Sequence, residues 1–164
     1  MKLIDRVMWA HENLEFPKPN YSIVWERADG GVSVTSPSGE FLAMAMHGGL
    51  LPDIEMFHQM RCRWVNDAGE EMFTLINEGP GPGWKEGKVM NAELMHEGPR
   101  APKMTEEEAM EYLLQKDVPR YVWADHETAN RKRFYICPRE CVPKNRAFRN
   151  HWQLKSETQL EQAA

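Results

Sequence analysis

The sequence predicts an α+β fold in which antiparallel β-hairpins pack on one or two helices, with a long Gly/Pro-rich loop or arm. Three observations carry this reading. Tyr21, Ile23 and Trp25 alternate with Ser22, Val24 and Glu26 up to the turn Ala28-Asp29-Gly30-Gly31, and Val32 to Thr35 then returns. A period of two marks strands, and paired glycines supply the positive φ of a tight turn. Thr105 followed by Glu108 is a capping box, opening a helix whose apolar face is Ala109, Met110, Tyr112, Leu113 and Leu114. Gly79-Pro80-Gly81-Pro82-Gly83 interrupts any helix or central strand.

In chain order, residues 2–14 read as a helix, with Leu3, Val7 and Ala10 at helical spacing and Ile4, Met8 and His11 following the same period. Pro17 and Pro19 stop it. After the first hairpin, Pro37-Ser38-Gly39 is a turn. Phe41 to Met46 is an apolar run compatible with a strand or a buried helix, and Gly48 and Gly49 break it. A short helix follows Pro52, with Asp53 and Glu55 at its positive end. Met60 to Val65 and Glu71 to Ile76 form a second hairpin around Asn66-Asp67-Ala68-Gly69. From the Gly/Pro run to Pro102 the sequence predicts a long ordered loop or arm, whose Trp84, Met90, Leu94 and Met95 require a surface to lie on. The capped helix runs to Lys116 and ends before Pro119. Arg120 to Ala124 and Phe134 to Cys137 are predicted strands around a polar loop, and the tail after Ser156 is expected to fray.

A length of 164 residues suits one domain, 1–155, with about 41–104 as a possible insertion or arm and 156–164 as a tail. A chain of this size removes about 70% of its unfolded surface from water, so no staples are needed. Three cysteines, Cys62, Cys137 and Cys141, leave one unpaired in any scheme and favour a reducing compartment. Asp5 and Arg6 interrupt the apolar N-terminal run, so no signal peptide is read, and no stretch reaches the ~18 apolar residues of a membrane span. The net charge of −5 is unevenly spread: residues 1–118 hold 11 Lys and Arg against 20 Asp and Glu, whereas 119–155 hold 9 against 3. Such a basic third implies either a nucleic-acid or acidic-protein partner, or attraction between the two parts of one fold.

The stretch Cys141 to Trp152 concentrates the most chemistry. Pro143 fixes its own φ, and Asn145 is placed to cap a short helix. In that helix Phe148 and Trp152 share one face, to close the core, and Arg146 and Arg149 share another. Guanidinium groups on a rigid element suit a carboxylate, a phosphate or a carbonyl, or else clamp the protein's own carboxylates.

Asp29-Gly30-Gly31-Val32-Ser33-Val34, Lys116-Asp117-Val118-Pro119 and Pro143 to Trp152 occur in an order that resembles small phage-encoded accessory proteins of undefined activity, with DGGVSV, KDVP and IPxDRxFRxAW islands. The resemblance covers about half of the chain. This sequence has Asn145 where the pattern has Asp and His151 where it has Ala. The resemblance implies a phage context, in a virion or the host cytoplasm, and no particular reaction.

His126, Cys137, Cys141 and His151 are a candidate zinc set, but three residues lie between the thiols instead of the commoner two and no second cysteine pair exists. Arg131, Lys132 and Arg133 precede Phe134 and Tyr135, an interleaving that suits phosphate contact and base stacking; the pI of 5.7 opposes it. No GxSxG, HExxH or phosphate-binding glycine loop occurs, and no residue is marked as nucleophile or base. The reading is a non-enzymatic protein, without cofactor, that acts through protein–protein contacts as a virion or tail component or an assembly factor. The alternatives are an inhibitor of a host defence or transcription protein, and a nucleic-acid-binding module. Candidate binding residues are Arg146, Arg149, Trp152, Arg131, Lys132, Arg133 and Trp84. The partner is a protein, with homo-oligomerisation possible and no membrane contact.

Overall fold

The computed structural model describes residues 3–58, 61–65, 68–75, 89–93, 98–124, 132–144, 152 and 154, and shows an α+β fold. Helix α1 spans Leu3–Asn13, strands β1 and β2 span Tyr21–Glu26 and Val32–Thr35, and helices α2 and α3 span Gly39–His47 and Ile54–His58. Strands β3, β4 and β5 are Arg61–Val65, Glu71–Leu75 and Val89–Glu93. Helices α4 and α5 are Glu106–Asp117 and Arg120–Trp123, and β6 is Phe134–Pro138. Two antiparallel sheets result, ordered β2-β1-β6 and β4-β3-β5.

The first hairpin forms where its turn chemistry places it. Gly30 has φ +84°, and the Asp29 carboxylate accepts the Gly31 N–H at 2.8 Å and the Arg27 Nε–H at 3.2 Å. The Gly31 N–H and then the guanidinium hold the Asp29 carboxyl below its ordinary range. In the sheet, Ile23 is wholly buried and sits between Thr35 on β2 and Ile136 on β6.

Residues 39–47 resolve the Phe41–Met46 ambiguity in favour of helix. The Ser38 hydroxyl accepts the Phe41 N–H at 3.1 Å, and Gly48 closes the helix at φ +82°. Phe41, Leu42, Ala43, Met44 and Ala45 are all buried, so the helix is apolar nearly all round and its period is hidden. Beyond it, residues 49–53 run beside 99–101, with Ala101 N–H donating to Leu51 O at 2.8 Å and Asp53 N–H to Pro99 O at 3.0 Å. The chain thus leaves this ladder after Asp53 and rejoins it at Pro99, and Pro52 and Arg100 form a bridge within it. Asp53 also accepts the Glu55 N–H, opening α3.

Helix α4 is the packing centre, touching α2, α3, α5 and β1. Its capping box is complete: Thr105 Oγ1 accepts the Glu108 N–H at 3.2 Å, and Glu108 accepts the Thr105 N–H at 3.1 Å. Ala109, Met110, Tyr112, Leu113 and Leu114 are buried as the spacing predicts. The acids of its first turn have a second role. Glu106 accepts both the backbone N–H and the side-chain amide of Asn20, and Glu107 accepts the Tyr21 hydroxyl, so they fasten the start of β1. Thr105→Ala is expected to lower stability by about 1 kcal/mol, read as a shift in urea midpoint; an unchanged midpoint would mean that Glu106 and Glu107 hold the helix end alone.

The structure departs from expectation in three places. Arg120 to Trp123 is helical, not a strand: Val122 turns into the core and the Trp123 indole N–H donates to Val118 O at 3.0 Å. The stretch between the Gly/Pro run and Pro102 contains β5, which pairs with β3 and carries a register shift at Arg63/Trp64. In α1, Ile4 and Met8 are exposed while Arg6 is buried, its Nε–H donating to Leu50 O at 2.6 Å. Among the described residues, no helix is long and apolar enough to cross a membrane.

Candidate functional site

Most of the sequence-predicted binding residues, namely Arg146, Arg149, Arg131 and Trp84, lie outside the described residues, as do Asn145, Phe148 and the helix proposed to carry them. Trp152 is half-buried and belongs to no helix or strand. Lys132 and Arg133 are placed. The Lys132 ammonium lies 5.4 Å from the ring centres of both Phe134 and Tyr135, and Arg133 Nη1 donates to Tyr121 O at 3.4 Å. Both cations thus engage groups of their own chain.

Of the candidate zinc residues, His126 and His151 lie outside the described residues. Cys137 is half-buried and Cys141 exposed, both as free thiols. Burial first, then the neighbouring Cys141, pushes the Cys137 thiol up, which opposes the thiolate that a metal requires. Among the described residues no group of three or more His, Cys, Asp or Glu is placed to hold a metal ion.

Two surfaces remain. The first is the outside of α1. Ile4 and Met8, one turn apart, are 60% and 57% exposed. Met8 leads along the helix to His11, whose ring meets Phe16 edge-on at 5.0 Å and whose Nε2 pairs with Glu40. On the other flank Trp9 meets His47 edge-on at 5.3 Å, and Trp9, Phe16 and Met46 are all exposed. His11 reaches the start of α2 and Trp9 reaches its end, so α2 crosses beneath α1. The helix therefore buries only the Arg6–Ala10 side and leaves apolar groups on both flanks. Asp5 and Glu12 lie between these flanks and are exposed.

The second is a cleft at the end of the β2-β1-β6 sheet. Ser22 near the start of β1, Ser36 just after β2, and the turn that follows β6 line a cavity of about 390 Å³. The Arg139 N–H donates to Asn20 O at 2.9 Å and the Val142 N–H to Arg139 O at 3.2 Å, which folds the chain after β6 back over the start of β1. Arg139, Glu140, Pro143 and Lys144 form the turn wall, with Val142 buried beneath. On the sheet wall, the Ser22 and Ser36 hydroxyls are 2.8 Å apart.

One further group is unusual. His58 stacks on Trp123 with ring centres 5.8 Å apart, and Arg120 covers the same indole. His58 Nε2 is a buried polar atom with no hydrogen-bond partner among the described residues. Burial holds the His58 ring's pKa down, against the pull of Glu55 4.0 Å away, so the neutral form is favoured. The chain matches no protein-family model, and neither the curated proteins nor the solved structures include a significant match.

Proposed function

We propose that this chain is a phage-encoded, non-enzymatic protein that works by docking another protein, as a virion- or tail-associated or assembly component. The observation that carries the docking is the outer surface of α1. Ile4 and Met8 side by side at 60% and 57% exposure, with Trp9, Phe16 and Met46 nearby, put more large apolar side chains in water than isolated surface residues do. Glu12, exposed between the flanks, sets the partner's chemistry: a face that combines apolar side chains with lysine or arginine. The phage setting rests on the three islands of resemblance.

The described part of the basic segment does not favour nucleic acid, because Lys132 and Arg133 are spent on rings and a carbonyl of the same chain. A test combines location with a surface change. The protein is expected in purified particles by mass spectrometry, and the Ile4→Glu/Met8→Glu variant is expected to be lost from them. Its stability should stay within about 0.5 kcal/mol of the parent, since both side chains are already in water. Incorporation of the variant at parental level would overturn the α1 assignment. Absence of the parent from particles, with capture of a host protein instead, would overturn the virion role.

A further inference from the structure

We propose that the cleft between the Ser22/Ser36 pair and the 139–144 turn binds a phosphate group, either free or as a monoester. Its volume of about 390 Å³ lies at the small end of ligand sites and is ample for a phosphate group.

Proton bookkeeping gives the direction of the hydroxyl pair. Two hydroxyls in contact share one hydrogen bond, and the hydroxyl that accepts keeps a proton to donate elsewhere. Ser22 is 1% exposed and its hydroxyl has no acceptor but Ser36 among the described residues. Were Ser36 the donor, the Ser22 proton would be buried without a partner, a costly arrangement. Ser22 therefore donates, and the exposed Ser36 turns its own proton towards the cleft.

The facing wall supplies charge. Arg139 and Lys144 are both exposed, and neither makes a side-chain hydrogen bond or ion pair among the described residues. A hydroxyl on one wall and a guanidinium and an ammonium on the other are donors converging from two sides. A phosphate offers terminal oxygens in several directions, whereas a carboxylate offers two in one plane. Glu140 is the one anionic side chain in the lining, and its charge opposes the ligand's. The cleft shares no residue with the α1 surface, so it stands or falls independently of the docking reading.

The test is a titration of the isotope-labelled full chain by amide NMR, with inorganic phosphate, O-phosphoserine and acetate, at ionic strength held constant with chloride. Saturable shifts are expected at Ser22, Ser36, Arg139 and Lys144 for both phosphates below about 20 mM, and none for acetate. O-phosphoserine binding more tightly than inorganic phosphate would identify a monoester as the ligand; equal affinity would identify the free ion. Arg139→Ala/Lys144→Ala should weaken binding about tenfold or more, Ser36→Ala by about fivefold, and Glu140→Gln should strengthen it severalfold. Arg139, Glu140 and Lys144 are exposed, so their variants are expected to fold; Ser36→Ala removes the acceptor of the buried Ser22 hydroxyl, so its amide spectrum is compared with the parent's before it is titrated. Shifts that grow without saturating, a double variant that titrates like the parent, or weaker binding by Glu140→Gln would each overturn the assignment.

Discussion

Gly48→Ala is expected to destabilise the protein by about 3 kcal/mol or more, and Gly49→Ala, one residue on, by only about 1–2 kcal/mol. Both glycines have positive φ, +82° and +76°, so both variants carry backbone strain. Only Gly48 carries a second cost. With ψ at 149° it occupies a region that is essentially reserved for glycine. A Cβ there would come within 2.6 Å of the Lys103 backbone N and 2.8 Å of its Cα, whereas nothing lies within 4 Å of a Cβ at Gly49. Backbone cannot swing aside as a side-chain tip does. Lys103 is also held in place, because the next residue, Met104, donates its N–H to Ala45 O at 3.1 Å. Gly48→Ala should therefore part the end of α2 from the strap that precedes α4. Denaturant midpoints for the two variants decide it; equal losses would show that the Lys103 contact yields without cost.

The pair also marks where the sequence was readable. Turn glycines and caps act over a few residues, so Asp29-Gly30-Gly31, Thr105 with Glu108, and the break at Gly48-Gly49 could be located without a structure. Arg120-Tyr121-Val122-Trp123 could not. Its consecutive Tyr121, Val122 and Trp123 are aromatic and β-branched residues of the kind that strands favour, and the helix is decided by partners elsewhere: Val122 in the core and Trp123 against Val118 and His58. β5 is similar, since its pairing with β3 spans the Gly/Pro run and leaves no local mark. Arg6 reads as a charged interruption of an apolar helix until the Leu50 carbonyl is placed beside it.

The two candidate surfaces were hidden for different reasons. Ile4 and Met8 carry the helical period as Leu3, Val7 and Ala10 do, and spacing alone does not say which stripe is buried, because much of any folded surface is apolar. The cleft gathers Ser22, Ser36, Arg139 and Lys144 from positions far apart in the chain. Serines are too common to attract notice, and only the antiparallel pairing of β6 with β1 brings the turn over them. The basic character of residues 119–155 was the one usable signal; it pointed first to Arg131–Arg133, Arg146 and Arg149, and to Arg139 and Lys144 only as an extension of that basic segment.

The largest loss is expected from Tyr112→Ala, about 3–5 kcal/mol, with Tyr112→Phe costing about 1–3 kcal/mol. Tyr112 is 6% exposed and lies at the junction of three segments. Its ring packs against Phe41 of α2 with centres 5.8 Å apart, and its hydroxyl donates to Pro52 O at 2.7 Å. Removing the ring leaves a cavity between α4 and α2, whereas removing only the hydroxyl leaves the Pro52 carbonyl without that donor. The same residue gives a pH signature. Burial first, then Asp53 and Asp117, raises the phenol above its ordinary 10.0. Below pH 10 folded and unfolded chains both hold this proton, so stability there is independent of it. Above pH 10 the unfolded chain loses the proton first, and stability should fall by about 1.4 kcal/mol per pH unit from this group. Tyr112→Phe should abolish that increment and narrow its gap to the parent as pH rises, which urea titrations at pH 9, 10 and 11 would measure. A gap that stays constant across those titrations would mean that the phenol ionises equally in both states, and that the Pro52 hydrogen bond does not hold its proton.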